Sequence, residues 1–489
     1  MKKNCASHSI KIFLTIVLIF IAVNNCSLVQ DKASKIDELM NIYYKFGQFN
    51  GVILVAEKGE VIYKKGFGFA NMEWNIPNKP DTKFRIASIT KQFTSMLVMQ
   101  LVEAGKIDLN KTLTEYLPEY RRDTGDKVRI HHLLTHTSGI PNYTNIPGFW
   151  EDSTRNHYSL EYMLQEFCSG DLGFEPGTKF EYNNSGYLLL GLIIERVTGR
   201  PLEKVLHENI LGPLGMKNTG IDRHETILSN RATGYREHID GYTNAPYDCM
   251  HNFYASGDMY STVEDLYLWD QALYSNKLLS KQYANIMFTP YLNNYAYGWG
   301  VRMLQVGVST DSILTLSHSG SMAGFNARIC RIIDDKHLII LLNNFSGDHK
   351  IDDITLGIIN ILYNFPYEFP KNSIAKVLFK TMEEKNIDSA IVQYHEIKSK
   401  SLDFYNFGAN ELNSLGYYLL VNKRITEAIK IFKLNVSVYP NDANTYDSLG
   451  EAYMINGDKN LAIYNYKKSL KLNPNNTNAK NALKKLNSI

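Results

Sequence analysis

The sequence predicts an α/β domain with a largely antiparallel sheet, followed by an all-helical repeat region. Strand-like apolar runs lie over residues 51–67 and again over 297–342, whereas helical patterns occupy the chain between them. Hairpins outnumber β-α-β alternation in the two strand regions, which favours antiparallel pairing. From residue 372 onward the chain is helical and repeats with a fixed period. These observations predict one domain over residues 31–365 and a second over 372–489.

Length and composition fit a multidomain globular protein. A chain of 489 residues is long for one domain. Hydrophobic residues make up 44% and charged residues 21%, which is ordinary for globular proteins. The formal net charge of +2 gives no argument for a nucleic-acid partner, and we expect none.

Residues 1–26 have the pattern of a targeting segment. Three lysines precede or begin the apolar run Ile12–Val23, whose length fits a signal peptide and falls short of the roughly 20 residues that span a bilayer. Cys26 follows this run, as in a lipoprotein, although Asn25 departs from the small residue expected before such a cysteine. Cleavage, lipidation and an uncleaved membrane tether are the three alternatives, and each predicts a secreted, periplasmic or envelope-anchored protein.

The cysteines predict no disulfide framework. They lie at positions 5, 26, 168, 249 and 330, widely spaced and without a C-x-x-C motif. We expect those beyond the targeting segment to be buried free thiols. No motif predicts a metal ion or a cofactor.

In the first domain, the predicted strands form two groups, and the predicted helices lie between these groups. In chain order, the patterns predict a hairpin over Gly51–Ala56 and Val61–Tyr63, helices ending at Glu103 and over Leu188–Val197, Leu202–Leu211 and Thr262–Leu273, strands over Tyr297–Val301 and Ile313–Ser317, and a hairpin over Asn326–Ile333 and His337–Leu342. Strands therefore lie at both ends of the domain, with helices between them.

The C-terminal region contains an internal repeat of 34 residues. Leu415-Gly416 recurs as Leu449-Gly450, and the same spacing relates Ala428 to Ala462 and Pro440 to Pro474. This pattern resembles the tetratricopeptide repeat and implies an all-α solenoid. A degenerate unit at Asn386–Ala390 precedes the repeats, and a polar helix after Pro474 fits a solvating cap. Such arrays bind protein or peptide partners; a short array that only buttresses the first domain is the alternative.

Ser88 and Lys91 form a candidate nucleophile and base. They lie three residues apart, on one face of a predicted helix, with Ser88 at the helix start. Free N–H groups and the helix dipole favour developing negative charge there, and a deprotonated lysine can activate a serine. The motif S-x-x-K is typical of β-lactamases and penicillin-binding proteins. Ser373 and Lys376 also fit it, however, so the pair alone indicates no more than a helix start.

Tyr182 and Asn184 form a second motif, Y-x-N. Other Y-x-N segments occur in this tyrosine-rich chain, but only Tyr182 follows Pro-Gly-Thr and leads into an apolar helix. Tyr182 is predicted to share the base role with Lys91. Because the ordinary pKa values of tyrosine and lysine are about 10 and 10.4, at least one must be lowered. Asn184 would position Lys91 and hold a substrate carbonyl.

The third motif is His318-Ser319-Gly320, the only H-x-G in the chain, on a predicted strand. Together with Ser88 to Lys91 and Tyr182 to Asn184, it resembles the β-lactamase-related serine hydrolases over roughly residues 35–365. The resemblance implies a β-lactamase/transpeptidase-like fold, in which a mixed, largely antiparallel sheet flanked by helices adjoins an all-helical lobe. The active site would lie between them.

The resemblance also implies roles for single residues. His318 and Gly320 would contact substrate, and the backbone N–H groups of Ser88 and Ser321 would form the oxyanion hole. His136 lies in a His-Thr-Ser-Gly segment that recurs in this family, and we expect it to be structural or at the rim of the site.

His318 departs from the lysine that true β-lactamases carry in the third motif. A histidine gives a weaker, pH-dependent charge near neutral pH, so amide, peptide or ester substrates are expected, rather than efficient β-lactam hydrolysis. Loops at Asn142–Asn156 and Ile239–Asn252 are expected to set specificity. The sequence thus predicts a serine hydrolase with a small-molecule or peptide substrate, such as a cell-wall fragment. The alternative is an envelope sensor or scaffold that binds cell-wall peptides or β-lactams without turnover and recruits a partner through the repeats.

Overall fold

The computed structural model describes residues 31–307, 312–347 and 349–487. The chain divides into two compact units: the first ends at Glu368 and the second begins at Phe369, with Glu237–Tyr242 belonging to the second. The predicted targeting segment, including Cys26, lies outside the described residues. Within the described ranges, no helix is both long and apolar enough to cross a bilayer.

A six-stranded sheet forms the centre of the first unit. Its strands are β1 (Gly51–Glu57), β2 (Glu60–Phe67), β3 (Gly300–Gln305), β4 (Ser312–Met322), β5 (Phe325–Ile332) and β6 (His337–Asn343). Their order is β3-β4-β5-β6-β1-β2, and every neighbouring pair is antiparallel. The N-terminal hairpin therefore completes the C-terminal meander, through pairing of β1 with β6. The predicted fold class is confirmed.

The turn between β1 and β2 has the backbone conformation of a tight hairpin turn. Lys58 and Gly59 both have positive φ, +52° and +85°. Positive φ at both central residues is the requirement of a type I′ turn, whose twist matches that of the flanking strands.

Helices cover both faces of the sheet. They are α1 (31–45), α2 (Thr90–Glu103), α3 (Asn184–Thr198), α4 (Val263–Ala272) and α5 (Ile351–Leu362). Ile53 and Ile339 share a hydrophobic cluster with α1 and α5, whereas Leu54 and Ile340 share another with α2, α3 and α4. β6 is consequently buried on both faces, which explains its unbroken apolar sequence.

Shorter elements complete the first unit. The short helices are Leu113–Tyr116, Arg122–Gly125, Ile130–Leu134, Leu160–Tyr162, Leu202–Leu206, Gly212–Leu214 and Lys281–Phe288. The short strands are Phe69–Asn71, Ile76–Pro77, Phe84–Arg85, Gly220–Ile221, Met259–Ser261 and Phe345–Ser346; two more, Tyr235–His238 and Gly241–Asn244, belong in part to the second unit. Cys168, Cys249 and Cys330 are free and buried, as predicted.

Several boundaries differ from the sequence prediction; β2, for example, continues to Phe67 and β4 to Met322. The helix predicted over Leu202–Leu211 becomes a π-turn at His207–Leu211, and the strand predicted from Tyr297 begins at Gly300. α3 begins at Asn184, four residues early, because the Asn183 side chain caps it by accepting the Gly186 N–H at 2.9 Å.

The second unit consists of paired helices. These are α6 (Ile374–Glu384), α7 (Ile387–Lys400), α8 (Ala409–Val421), α9 (Ile425–Val438), α10 (Ala443–Asn456), α11 (Lys459–Leu472) and α12 (Thr477–Asn487). The repeated glycines have a packing reason. A Cβ on Gly416 would lie 2.4 Å from the Phe432 ring, and one on Gly450 would lie 3.1 Å from the Tyr466 ring. Each repeat thus brings its two helices together at a glycine.

Candidate active site

Ser88 lies on a strained turn at the base of α2. The turn is a single 3-10 turn, Ala87–Ile89, that runs directly into the helix. Ala87 has a φ of +45°, a conformation that costs a residue with a side chain on the order of 1 kcal/mol. Nearly the whole of α2 is buried, so the turn is anchored in the core. This rigid attachment fixes where the Ser88 hydroxyl points.

Gly320 explains how β4 reaches this turn. A Cβ on Gly320 would lie 2.0 Å from the Ile86 carbonyl oxygen and 3.2 Å from the Ala87 Cβ. Only glycine therefore allows the strand to pack against the residues that precede Ser88. From the sequence, Gly320 is expected to contact substrate. The geometry gives it a packing role, and contact with substrate stays a prediction.

The Lys91 amine is fully buried and has three polar neighbours. Its Nζ lies 3.1 Å from Ser88 Oγ, 2.7 Å from Asn184 Oδ1 and 2.8 Å from the Ser256 carbonyl oxygen. Burial lowers the pKa of Lys91 well below its ordinary value, which favours the neutral amine. A neutral amine has two N–H donors and one lone pair. With both donors engaged by the carbonyl oxygens, the lone pair is left to face Ser88.

Tyr182 has the opposite shift. Burial raises the pKa of its phenol, with the Ser88 hydroxyl acting in the other direction, and its ring centroid lies 4.9 Å from Lys91 Nζ. The phenol is therefore protonated at neutral pH. At least one pKa in this pair must be lowered for base catalysis near neutral pH, and burial lowers that of Lys91.

Asn184 is held so that its carbonyl oxygen meets Lys91. Its Nδ2 donates to Thr144 Oγ1 at 3.0 Å, and its backbone N–H donates to Asn142 Oδ1 at 3.0 Å. These contacts fix which end of the amide faces the amine. Asn184 Oδ1 thus contacts the Lys91 amine at 2.7 Å. Its roles in positioning Lys91 and in holding a substrate carbonyl stay predictions.

His136 lies behind this group and not at the rim. Its Nδ1 accepts the Asn183 backbone N–H at 3.0 Å, and its carbonyl oxygen accepts the Glu181 N–H at 2.9 Å. Its ring centroid is 4.3 Å from that of Tyr182. Burial lowers the pKa of His136 well below its ordinary value, so the ring is neutral. Among the two roles expected for His136, the geometry fits the structural one.

His318 is a neutral, fully engaged ring. Its Nδ1 lies 2.6 Å from the Ser319 carbonyl oxygen, and its Nε2 lies 3.0 Å from the Tyr295 hydroxyl. Burial is the main cause that lowers the pKa of His318, to about 3. The Nδ1–H therefore donates to Ser319, and Nε2 accepts from Tyr295. The expectation of a pH-dependent charge near neutral pH is wrong, because the ring is too deeply buried to hold a proton.

A cavity of about 390 Å³ brings the predicted residues together. Its polar wall includes the side chains of Ser88, Tyr182, Asn184 and His318, and Ser321. Lys91 lies beneath the wall, in contact with Ser88. In the described part of the chain, no group of three or more His, Cys, Asp or Glu side chains is arranged to hold a metal ion.

The cavity also has an apolar part of its lining, called the apolar wall below. It consists of Trp150, Phe253 and Met322. The rings of Trp150 and Phe253 stack, with centroids 5.8 Å apart and planes inclined by 26°. Trp150 lies within the predicted specificity loop Asn142–Asn156, and Phe253 follows the end of the loop Ile239–Asn252.

Sequence reasoning missed Ser256, Tyr295 and Thr144. Ser256 offers only its backbone carbonyl, which any residue type provides, and Tyr295 is one of 32 tyrosines. Thr144 acts on Asn184 across 40 residues of chain. None of the three has a local sequence signal that separates it from an ordinary core or loop residue.

Two family models match parts of this chain. A beta-lactamase family model matches residues 35–359, and a tetratricopeptide repeat model matches residues 443–476. Penicillin-binding protein 4* of Bacillus subtilis (strain 168) is 30% identical over 384 residues, which cover 74% of this chain and 82% of that protein.

Solved structures are also similar to this chain. A penicillin binding protein from Bacillus halodurans is 28% identical, with a TM-score of 0.55 over 67% of this chain and 97% of that one. A D-amino acid amidase from Ochrobactrum anthropi SV3, complexed with L-phenylalanine amide, is 26% identical, with a TM-score of 0.58 over 68% and 99%. The chain therefore belongs to the beta-lactamase family and carries a C-terminal tetratricopeptide repeat.

Proposed function

We propose that the protein is a serine hydrolase that acts on amide, peptide or ester substrates through an acyl-enzyme at Ser88. The observation that supports this most directly is the buried Lys91 amine, 3.1 Å from Ser88 Oγ, with two carbonyl oxygens at its remaining polar contacts. A neutral amine in that position is a base for the serine proton.

The proposed reaction uses one proton relay in both directions. Ser88 Oγ attacks the substrate carbonyl carbon as its proton passes to Lys91 Nζ. The backbone N–H groups of Ser88 and Ser321 donate hydrogen bonds to the negatively charged oxygen of the tetrahedral intermediate. The C–N or C–O bond then breaks, and the proton returns from Lys91, by way of the Tyr182 hydroxyl, to the leaving amine or alcohol. In the second half of the reaction, water attacks the acyl carbon as its proton passes to Lys91 by way of the Tyr182 hydroxyl. The bond between the acyl carbon and Ser88 Oγ then breaks, Lys91 returns the proton to Ser88 Oγ, and the acid leaves.

In this proposal Asn184 and His318 hold the substrate and the base. Asn184 fixes Lys91 and offers its amide to the substrate carbonyl. His318 lies in the cavity wall beside Ser319. There it would hold this part of β4 in position beside the scissile bond. Similarity to a D-amino acid amidase supports amides as one substrate class.

Substitution of the nucleophile tests the proposal. Ser88→Ala should lower turnover of a p-nitrophenyl ester and of a D-Ala-D-Ala peptide by at least roughly 10³-fold, because the covalent route is lost. The variant should retain the thermal unfolding profile of the parent protein. A rate that is unchanged in Ser88→Ala contradicts the proposal.

The lifetime of the acyl-enzyme distinguishes an enzyme from a sensor. A fluorescent penicillin or a fluorophosphonate should label Ser88 in either case. Rapid loss of the penicillin label and release of product support the enzyme. A label that persists without turnover of any substrate supports a sensor that signals through the repeats.

We further propose an extracytoplasmic location and a protein partner for the repeats. Similarity to penicillin-binding proteins supports the location, and the tetratricopeptide match supports the partner. Mass spectrometry of the N-terminal peptide tests the proposed location, with protein isolated from the membrane fraction and from the soluble fraction of cells. An N-terminus cleaved near Asn25, or a lipid on Cys26, is expected, and an intact Met1 in a soluble fraction contradicts it.

A further inference from the structure

The catalytic cavity is lined without a charged side chain. Among the described residues in its wall, the only titratable ones are Tyr182, which is a protonated phenol, and His318, which is a neutral ring. Lys91 lies below the wall, with its polar contacts to Ser88, Asn184 and Ser256. A substrate in the cavity therefore meets no cation and no carboxylate.

An ion bound beside the scissile bond would consequently lose water without gaining a partner. Leaving a charge unpaired in a desolvated site is strongly unfavourable. His318 does not pair with such an ion, because its two ring nitrogens already contact Ser319 and Tyr295. A free carboxylate on the leaving group, or a free ammonium on the acyl group, is therefore poorly accommodated next to Ser88.

The apolar wall favours a large uncharged side chain. Trp150 is 46% exposed and lines the cavity, so part of its ring is accessible to a bound substrate. Its one polar atom, Nε1, is already engaged with the Thr144 carbonyl oxygen at 2.9 Å. The stacked rings of Trp150 and Phe253, with Met322, thus present apolar surface to the cavity.

We propose that this cavity selects uncharged amides and esters whose acyl group carries an aromatic or bulky apolar side chain, and that it discriminates against substrates with a carboxylate on the leaving group. The proposal rests on acyl-enzyme chemistry at Ser88. It narrows the substrate class to blocked or internal amide bonds and simple esters, and it assigns specificity to Trp150 and Phe253.

A matched pair of peptides tests the charge rule. N-acetyl-Phe-Ala and its C-terminal amide, N-acetyl-Phe-Ala-NH2, contain the same Phe-Ala bond and differ in one charge. Release of N-acetyl-phenylalanine is measured, so that hydrolysis of the terminal amide is not counted. With both enantiomers of each residue measured, the amide should have a kcat/KM at least about tenfold higher. His318→Lys should raise the relative rate on the free acid, whereas His318→Gln, the uncharged control, should not.

A second pair tests the apolar wall. N-acetyl-phenylalanine methyl ester should be cleaved at least about tenfold faster than the alanine ester, through a lower KM or a higher kcat. Trp150→Ala should lower the ratio of the two kcat/KM values several-fold, whereas a general loss of folding would lower both values and leave their ratio unchanged.

The outcomes separate this inference from the proposed function. Turnover at Ser88 with equal or higher rates on the free acid, and no preference for phenylalanine, overturns the inference alone. Absence of turnover on every substrate, together with absence of labelling by a fluorophosphonate, overturns both.

Discussion

Lys91 Nζ lies 3.1 Å from Ser88 Oγ in a fully buried position, and carbonyl oxygens of Asn184 and Ser256 lie at its other two polar contacts. Desolvation at this position disfavours the ammonium form. No carboxylate is among its described hydrogen-bond partners. The amine is thus arranged as a proton acceptor, and the pH dependence of the reaction should follow its ionisation.

The acidic limb of the pH profile should report Lys91. kcat/KM is expected to rise with pH as Lys91 loses its proton in the free enzyme. His318 should contribute nothing to this limb, because its pKa is lowered to about 3. The limb should therefore persist at the same pH in His318→Gln, even if that variant is slower. Loss of the limb in His318→Gln would assign it to the histidine and contradict the account.

Asn184→Asp should move this limb to higher pH. The substitution places a carboxylate where an amide oxygen now lies 2.7 Å from Lys91 Nζ, which stabilises the ammonium and raises its pKa. Activity at pH 7 should fall at least about tenfold and recover in part at alkaline pH. Asn184→Ala, the uncharged control, should be slower without an alkaline recovery. Equal pH profiles for the two variants would show that Asn184 does not act on Lys91.

Gly320→Ala should disrupt the packing of β4 on the Ser88 turn. The added Cβ would meet the Ile86 carbonyl oxygen at 2.0 Å, so strand and turn must separate. We expect a loss of roughly 1–3 kcal/mol in the free energy of unfolding, by chemical denaturation, and a fall in kcat. Gly173→Ala is the control, since its Cβ would have no neighbour closer than 3.8 Å. Equal stability of the two variants contradicts the packing role.

Asp258 should make stability depend on pH. Burial raises the pKa of Asp258 to about 7, against the opposing effect of Arg223, whose guanidinium lies 3.4 Å away. Because the folded state keeps a proton that the unfolded state loses near pH 4, the contribution of Asp258 to stability falls as pH rises from about 4 to 7 and is constant above that.

Asp258→Asn removes this titration. The free energy of unfolding of the variant minus that of the parent protein should increase between pH 4 and 7, by at most about 4 kcal/mol, and then level off. Urea denaturation at a series of pH values measures it. A difference that does not change with pH would place the pKa of Asp258 in its ordinary range.

Much of this site was readable from the sequence because its residues occur in short motifs. Ser373 and Lys376 show the limits of prediction from motifs, because they fit the same S-x-x-K pattern as Ser88 and Lys91. The Ser373 hydroxyl caps α6 by accepting the Lys376 backbone N–H, and the Lys376 amine pairs with Glu237. Spacing is identical in the two cases, and the burial and the polar partners of the lysine separate them.

The remaining features depend on contacts between distant parts of the chain. Ser256 lies 165 residues from Lys91, and Tyr295 reaches His318 from a segment with no motif of its own. The charge state of His318 likewise follows from burial, which the sequence of β4 alone does not give. Gly320 was recognised as part of a motif, but its reason, the close approach of Ile86, requires the fold.

Intact-protein mass spectrometry after incubation with a fluorophosphonate tests the central claim most directly. The account predicts a single adduct, located by peptide mapping on Ser88 and absent from Ser88→Ala. Its rate of formation should rise with pH along the same limb as kcat/KM. An adduct on another residue, or equal labelling of Ser88→Ala, would contradict the assignment of Ser88 as the nucleophile.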